Sequence, residues 1–310
     1  MPPARFSLDN LPTYAYKILI VIATAIWGVS FVFMKDVVSV LPPAWLLGIR
    51  FTCAGIILLL ILRKRVAAGF NLRFLGMGVL LGVLDFSAFL TQTIGLQHTT
   101  PGINAFLTAT YCVIVPFIWW LVARRRRTVF NIGAALLAVG GIWLVSVSSS
   151  GEGLTMGLGE AMTLVGAFAF AAHIVAVSKC AQYADALALT AMQFISEGLL
   201  GLATGALTAP APALSLFTPD IIAQMAFLIL LASIFCFGAQ NLALAHVPPA
   251  QASLLLSLES VFGVVFSVFM TGEQVTLRLL LGFVLIFAAI TVSEVFPIKK
   301  KEAPSEAVGE

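Results

Sequence analysis

Apolar runs of 18 or more residues, each with at most one charged side chain, recur along most of the chain. In helical form, such a run can cross the roughly 30 Å hydrocarbon core of a bilayer. The runs are too long and too uninterrupted for the strands of a membrane β-barrel, which alternate apolar and polar residues over about ten positions. With 60% hydrophobic and only 10% charged residues, a chain of 310 residues would not stay dispersed in water. The sequence therefore predicts an all-α integral membrane protein.

Ten transmembrane helices are predicted, joined by connections too short to hold a soluble domain. Their expected bounds are 17–34, 43–62, 73–96, 101–122, 128–148, 157–178, 187–207, 220–244, 249–271 and 276–296. The segment before the first helix is mixed in composition and shows no signal-peptide cleavage site, so no removable signal peptide is predicted. The tail after Pro297 is polar and is expected to be disordered.

The lysines and arginines predict how these helices are oriented. If the N-terminus is cytoplasmic, 14 of the 17 basic residues lie on the cytoplasmic side, including the run at 124–127. Lys35 and Arg278 then lie at the outer ends of helices, and Arg50 lies inside a span. Because cytoplasmic loops carry an excess of lysine and arginine, we expect a multi-pass protein of the plasma (inner) membrane with both termini in the cytoplasm.

The two halves of the chain match each other in order. The stretch TQTIGLQHTTPGINAFLTATY at 91–111 has a weak counterpart 148 positions later, AQNLALAHVPPAQASLLLSLE at 239–259. An offset of 143 aligns Trp27 with Phe170 and Arg50 with Gln193. Each half holds five predicted helices, and because five is odd the second half enters the membrane from the opposite side. Inverted repeats of this kind are typical of transporters with a site near the bilayer midplane.

A family resemblance is carried by four blocks of sequence. They are AIWGVSFVFMK (25–35), AWLLGIRF (44–51), GLQHTTPGINAFLTATYCVIVP (95–116) and MTGEQVTLRLLLGFVLIFAAITV (270–292). With these blocks, the chain resembles the drug/metabolite transporter superfamily, and specifically its EamA-type members, over nearly its full length. The resemblance implies a carrier of ten helices, arranged as two inverted five-helix repeats, that moves small metabolites, often outward.

The domain organisation follows from the repeats. We expect a cytoplasmic N-terminal segment at 1–16, a first EamA-like repeat at 17–148, a second at 149–296 and a cytoplasmic tail at 297–310. One departure from symmetry is visible: the second half has Glu273 in a Gly-Glu turn, whereas the matching part of the first half reads RRRRTVFNIG and has no glutamate.

Polar side chains at helical spacing predict a central cavity. The stripes are Asp85, Phe89 and Gln92 in helix 3; Ser233, Phe237 and Gln240 in helix 8; and Asn104, Thr108 and Tyr111 in helix 4. Spacings of i, i+4 and i+7 put the members of each stripe on one helix face. Each amide could instead hydrogen-bond a neighbouring helix. The recurrence of the helix 3 stripe in helix 8 favours the cavity.

Glu259 is predicted to face this cavity because it aligns with Tyr111 at the offset of 148. A stripe of serines on the same helix aligns with small residues of helix 4, and small residues at such positions are typical of close helix packing. The stripe is Ser253, Ser257, Ser260 and Ser267, and the small residues are Ala105, Ala109 and Cys112. Ser30 and His173, which also align with each other, and Trp27 complete the predicted substrate-binding set. His173 is either packed or titrating, and the face of Trp27 that continues through Phe31 and Met34 is either an aromatic wall or core packing.

Ionisable groups at bilayer depth each require an explanation, since a charged side chain there costs about 2.5–3.5 kcal/mol on insertion scales. Glu259 and Asp85 are candidate proton carriers. If charged, either would attract a substrate amine or neutralise Arg50. Glu197 is a competing partner of Arg50, and the two are expected to form an intramembrane ion pair.

The predicted function is secondary active transport of a small amphipathic, amino-acid-like metabolite by alternating access, in the direction of export. No P-loop precedes a lysine, and no HExxH or serine motif is present, so we expect neither an ATP-driven pump nor an enzyme. The four cysteines lie in apolar runs without CxxC spacing, and no metal or cofactor is expected. The expected partners are a small-molecule substrate and membrane lipid but no nucleic acid, with the chain a monomer or a homodimer.

Three alternatives remain open at the level of sequence. A sugar-phosphate or nucleotide-sugar carrier of the same superfamily would need several cationic side chains in the cavity, and only Arg50 qualifies. A passive facilitator would lack saturation and counterflow. An intramembrane enzyme would need an asymmetric catalytic cluster near one interface, whereas the polar stripes here recur in both halves.

Overall fold

The computed structural model describes residues 11–123, 129–146, 156–247 and 249–295, and every regular element in these ranges is a helix. Seven helical segments of the described part are long and apolar enough to cross a membrane, and three shorter apolar helices lie at Ile132–Leu144, Leu258–Thr271 and Leu277–Val292. The all-helical membrane fold expected from the sequence is therefore confirmed.

The first half of the chain forms six helical pieces. They are α1 (Thr13–Val40), α2 (Pro43–Gly69), α3 (Leu72–Gln97), α4 (Pro101–Thr108), α5 (Tyr111–Ala123) and α6 (Val129–Ser146). The fourth predicted helix is thus divided into α4 and α5. Several helices also extend beyond the apolar runs used to predict them, since the polar ends continue the helix after the hydrophobic stretch stops. The arginine run at 124–127 lies outside the described residues.

The second half repeats this order with more interruptions. Its pieces are α7 (Leu158–Cys180), α8 (Ala186–Thr208), α9 (Pro219–Phe227), a π-helical segment (Leu228–Phe235), α10 (Cys236–His246), α11 (Pro249–Leu256), α12 (Leu258–Thr271) and α13 (Leu277–Val295), with a short 3₁₀ turn at Leu214–Leu216. The predicted eighth helix therefore consists of α9, the π-helical segment and α10, and the ninth consists of α11 and α12. The first ten residues and the tail from 296 lie outside the described residues.

Short local signals determine where several helices begin. The side chains of Asn71, Thr100, Asp185 and Thr218 accept hydrogen bonds from the backbone N–H groups of Phe74, Ile103, Ala188 and Ile221. These contacts satisfy donors that the first turn of a helix leaves free. Proline occupies the first position of α2, α4 and α9, where its missing N–H removes no internal bond.

The two halves pack against each other with internal two-fold symmetry. Two of the three most extensive contacts join α2 to α8 and α6 to α13, which are pairs of equivalent helices. The contact of α3 with α7 has its counterpart in α1 with α10, and that of α1 with α12 has its counterpart in α5 with α7. The inverted repeat seen in the sequence is therefore also a repeat of helix contacts, and the centre of the bundle lies between the halves.

Two glycines related by the offset of 143 let α2 and α8 cross in direct contact. A Cβ atom on Gly55 would lie 2.8 Å from the backbone nitrogen of Ile195, and a Cβ on Gly198 would collide with the backbone of Thr52. Thr52 and Ile195 are themselves related by 143 positions. Small residues at such crossings allow close backbone approach, which stabilises helix association in a membrane.

Gly198→Ala is expected to lower the stability of the protein, because the added methyl group forces α2 and α8 apart. Overpacking of this kind costs about 1–3 kcal/mol. The measurement is thermal unfolding of the purified protein in detergent. Gly76→Ala in α3 is the control, since a Cβ there meets nothing within 4 Å. Equal unfolding temperatures for the two variants would contradict this account of the crossing.

Candidate functional site

A cavity lies at the centre of the bundle, where helices of both halves meet. Ten of the residues predicted to bind substrate line it: Trp27, Ser30, Phe89, Gln92, Thr108, Tyr111, His173, Phe237, Gln240 and Glu259. Phe31, Met34, Arg50, Phe170 and Ile174 complete the lining. Phe170 was missed from the sequence although it aligns with Trp27, a match that could have identified it.

Two helix breaks border the cavity at equivalent positions of the two halves. The first separates α4 from α5 at Ala109 and Thr110, and the second separates α11 from α12 at Ser257. Ala109 and Ser257 are 148 positions apart. Near each break a hydroxyl group donates to a carbonyl three residues earlier: Thr110 to Leu107 at 2.6 Å, and Ser260 to Ser257 at 2.7 Å. Discontinuous helices of this type commonly form binding sites in transporters.

Tyr111 and Glu259 are the first cavity-lining residues after the two breaks. They occupy equivalent positions in the two halves, and the Tyr111 hydroxyl and the Glu259 carboxyl group interact with each other. Both side chains are buried and both line the cavity. Glu259 lies in the first turn of α12, whose N-terminal dipole favours a negative charge. The pair lies between the halves because symmetric positions approach each other at a two-fold axis.

Aromatic rings form the apolar wall of the cavity. Phe89 packs against Phe170 at 5.1 Å and against Phe237 at 5.8 Å between ring centroids, and Trp27 packs edge-on to Phe237 at 5.3 Å. The indole nitrogen of Trp27 donates to the carbonyl of Ala232 at 2.8 Å, within the π-helical segment. A π-helix alters the bonding of the helical backbone and is frequently found at functional sites.

Arg50 is the cation of the cavity, and its side chain is only 1% exposed. Its Nε donates to the Ser233 hydroxyl at 2.7 Å and its Nη1 to the Met34 sulfur at 3.2 Å. The guanidinium carbon lies 4.7 Å from the Phe51 ring centroid and 5.0 Å from that of Phe89, a cation–π geometry.

The bond from Arg50 to Ser233 has an equivalent in the other half. Gln193, which aligns with Arg50, donates from Nε2 to Oδ2 of Asp85, which aligns with Ser233. Both bonds measure 2.7 Å. The two halves therefore build the same contact, once with a guanidinium as the donor and once with a carboxyl group as the acceptor.

Three residues predicted to face the cavity do not line it: Asp85, Asn104 and Ser233. Ser233 instead holds Arg50, and Asp85 is bound by Gln193. Asn104 donates to the Gln92 carbonyl at 3.2 Å and to the Thr163 hydroxyl at 2.7 Å, between α3, α4 and α7. These three side chains are 0% exposed, and each lies on the flank of its helix where a neighbouring helix packs.

The expected ion pair of Arg50 with Glu197 is not a direct hydrogen bond in the structure. The two side chains attract each other electrostatically, but the guanidinium donates to Ser233 and Met34 instead.

The serine stripe of α11 and α12 is fully buried and does not line the cavity. Among the described residues, no group of three or more histidine, cysteine or acidic side chains could hold a metal ion.

Glu273 joins the α12–α13 turn to the α3–α4 turn at one end of the bundle. Its carboxylate accepts hydrogen bonds from the hydroxyls of Thr100 and Ser267 and, at 3.0 Å, from the backbone N–H of Gly102. A carboxylate at the start of α4 also complements the helix dipole. Lys35 donates to the carbonyls of Leu96 and Thr99 at 2.6 and 2.8 Å at the same end. At the opposite end, Tyr16 stacks on His246 at 4.4 Å.

Glu273→Ala is expected to destabilise the protein, because it leaves the N-terminus of α4 without its acceptor. The loss of a bond to a buried polar group costs about 1–3 kcal/mol. Thermal unfolding in detergent measures the effect. Gln274→Ala is the matched control, since the neighbouring side chain is exposed and bonds only the Gly272 carbonyl within its own turn. A loss no larger than that of the control would show that the contact contributes nothing.

The chain is similar to one family of known proteins over most of its length. The profile of the EamA-like transporter family matches residues 15–147 and 157–294. An uncharacterized transporter of Archaeoglobus fulgidus is 27% identical over 273 residues, which cover 86% of this chain and 82% of the relative. A chloroplastic WAT1-related protein of Arabidopsis thaliana is 26% identical over 181 residues, 56% of this chain but only 43% of that protein. A solved structure described only as "Crystal structure of protein" has a TM-score of 0.66 at 14% identity, covering 91% of this chain and 97% of its own.

Proposed function

Because the chain belongs to the EamA-like transporter family, we propose that it is a secondary active transporter that exports a small amphipathic, amino-acid-like metabolite by alternating access. The observation that carries this proposal is the cavity between the two halves. Aromatic rings line it together with one cationic side chain, Arg50, and one carboxyl group, Glu259. A small pocket that is mostly apolar with a few fixed polar groups is typical of a small-molecule site.

The chemistry of the cavity supports a zwitterionic substrate. A substrate carboxylate can pair with the guanidinium of Arg50, since planar arginine groups suit carboxylates. A substrate amine can pair with the carboxylate of Glu259, beside the Tyr111 hydroxyl. The rings of Phe89 and Phe237 can take up the apolar part of the molecule. A sugar phosphate fits less well, because Arg50 is the single cationic side chain among the lining residues of the described chain.

The paired helix breaks support alternating access. Equivalent breaks in the two halves give the bundle two related ways to rearrange around one central site. The contact of Glu273 with α4 closes one end of the bundle, and the stacking of Tyr16 on His246 spans the other. We propose that these contacts open in alternation, and that proton exchange at Glu259 or Asp85 drives the substrate outward.

The proposed substrate class is tested by ligand-dependent stabilisation of the purified protein, since a ligand that binds the folded state raises its unfolding temperature. Proteinogenic L-amino acids should stabilise it, while their decarboxylated amines and N-acetyl derivatives should not. Glu259→Gln should weaken binding about ten- to hundredfold, the value of one hydrogen bond to a charged group.

Ser260→Ala is the matched control for this substitution. Ser260 adjoins Glu259, and its hydroxyl bonds only the Ser257 carbonyl one turn earlier in the chain. Unchanged stabilisation of the Glu259→Gln variant by amino acids would remove Glu259 from the site. In proteoliposomes, saturable uptake with counterflow supports a carrier, and linear flux without counterflow supports a passive facilitator instead.

We also propose that both termini face the cytoplasm in the plasma (inner) membrane, because 14 of the 17 basic residues then lie inside. A green fluorescent protein fused after the last residue should be fluorescent, and alkaline phosphatase at the same point should be inactive. Fusions that end after Gln97, in the α3–α4 turn, should give the reverse result. Active phosphatase at the C-terminus would invert the proposed orientation.

A further inference from the structure

Four ionisable side chains of α2, α3, α7 and α8 are buried together beside the cavity. Arg50 is 1% exposed, and Asp85, His173 and Glu197 are 0% exposed. Arg50 and His173 line the cavity, whereas the two acidic side chains do not. Arg50 and His173 therefore separate the two carboxyl groups from the cavity.

Close packing of α3 on α8 brings the two carboxyl groups together. A Cβ atom on Gly82 would lie 2.7 Å from the Gln193 carbonyl oxygen and 3.0 Å from the Glu197 backbone nitrogen. Asp85 follows Gly82 by one helical turn, and Glu197 follows Gln193 by one turn. The carboxyl groups of Asp85 and Glu197 are consequently buried next to each other and interact electrostatically.

Several carboxyl oxygens of Asp85 and Glu197 are left unpaired. In the described part of the chain, Oδ1 of Asp85 and both carboxyl oxygens of Glu197 are buried and have no hydrogen-bond partner among the other side chains or the backbone. Two carboxylates accept hydrogen bonds but donate none, so neither can satisfy the unpaired oxygens of the other unless one of the two carries a proton. A second negative charge in the same buried site would also be strongly unfavourable.

The surrounding groups account for the remaining charge. Gln193 donates to Asp85 at 2.7 Å, and the Nδ1 atom of His173 lies 3.7 Å from Oδ1 of Asp85. Arg50 attracts both carboxyl groups without bonding either. Cys236 of α10 is the remaining titratable group that faces Arg50, and its thiol donates to the Ala23 carbonyl. One positive guanidinium, one shared proton and two carboxyl groups leave the cluster neutral when His173 is neutral.

We propose that Asp85 and Glu197 form the proton-binding site of the transporter, separate from the substrate-contacting Glu259, with His173 connecting the pair to the cavity. The proton leaves a carboxyl oxygen of the pair, passes to the His173 imidazole and then to water in the cavity. The pair is then a dicarboxylate opposite Arg50 and regains a proton from the other side of the membrane. This inference rests on the proposed transport function, but proton binding by the pair can be measured without transport.

Infrared difference spectroscopy of the purified full-length protein tests proton binding directly, because a protonated carboxyl group has its own C=O stretching band. The wild type should show a band that is lost in both Glu197→Gln and Asp85→Asn, since the remaining single carboxyl group is ionised beside Arg50. Glu259→Gln should retain this band. A band unchanged in Glu197→Gln overturns the proposal.

Transport in proteoliposomes tests the role of the proton. Exchange of a tritiated mixture of proteinogenic L-amino acids for the unlabelled mixture needs no net proton movement, so Glu197→Gln should keep counterflow and lose the response to a pH gradient. In the wild type, a gradient of one pH unit should change accumulation about tenfold for one proton exchanged. Glu197→Asp should restore the response, which separates proton binding from folding.

The two proposals fail in different ways. Absence of counterflow in the wild type would remove the proposed transport of amino acids, and the infrared band would still decide whether the pair holds a proton. Counterflow together with a full gradient response in Glu197→Gln would leave transport intact and overturn the proton site. Loss of both counterflow and the gradient response is expected for Glu259→Gln, which changes the substrate contact.

Discussion

The buried guanidinium of Arg50 is the interaction on which the centre of the molecule depends. A charge at bilayer depth is stable only when the protein replaces its hydration, and Arg50 obtains this from Ser233 of the second half, the Met34 sulfur and two aromatic rings. These contacts come from several helices, so the charge holds the two halves in register. The same group supplies the cation of the cavity and faces the buried carboxyl pair, which links the two parts of the site.

The ionisable side chains of the cavity lie at positions where the two halves differ in residue type. Arg50 and Gln193 make equivalent bonds to Ser233 and Asp85, yet only one donor and one acceptor of this set are ionisable groups. Tyr111 is matched by Glu259 in the same way. The symmetric positions supply the architecture, in which the two halves build equivalent helix contacts. The asymmetric side chains at those positions supply a cation and carboxyl groups, which a symmetric cavity of tyrosines and serines would lack.

Much of the site could be predicted because helical periodicity and the internal repeat act together. Gln92 and Gln240 were identified as a repeated stripe, and both line the cavity. Asp85 and Asn104 were placed wrongly in the cavity, since a helix face that is polar can serve either a cavity or a neighbouring helix. The choice depends on how far each helix rotates about its axis, and spacing along the sequence carries no information about that rotation.

The sequence by itself determined the ten-helix membrane class and the inverted repeat, because only long apolar helices satisfy their backbone groups within a bilayer and because offsets between matching residues can be read directly. The positions of the helix breaks beside Tyr111 and Glu259 were decided only in the tertiary structure. So was the burial of Asp85 beside Glu197, since these residues lie in different halves and approach each other only through the close packing of α3 on α8 at Gly82. Both features depend on the contacts that neighbouring helices make with each other, and the sequence of a single helix does not specify those contacts.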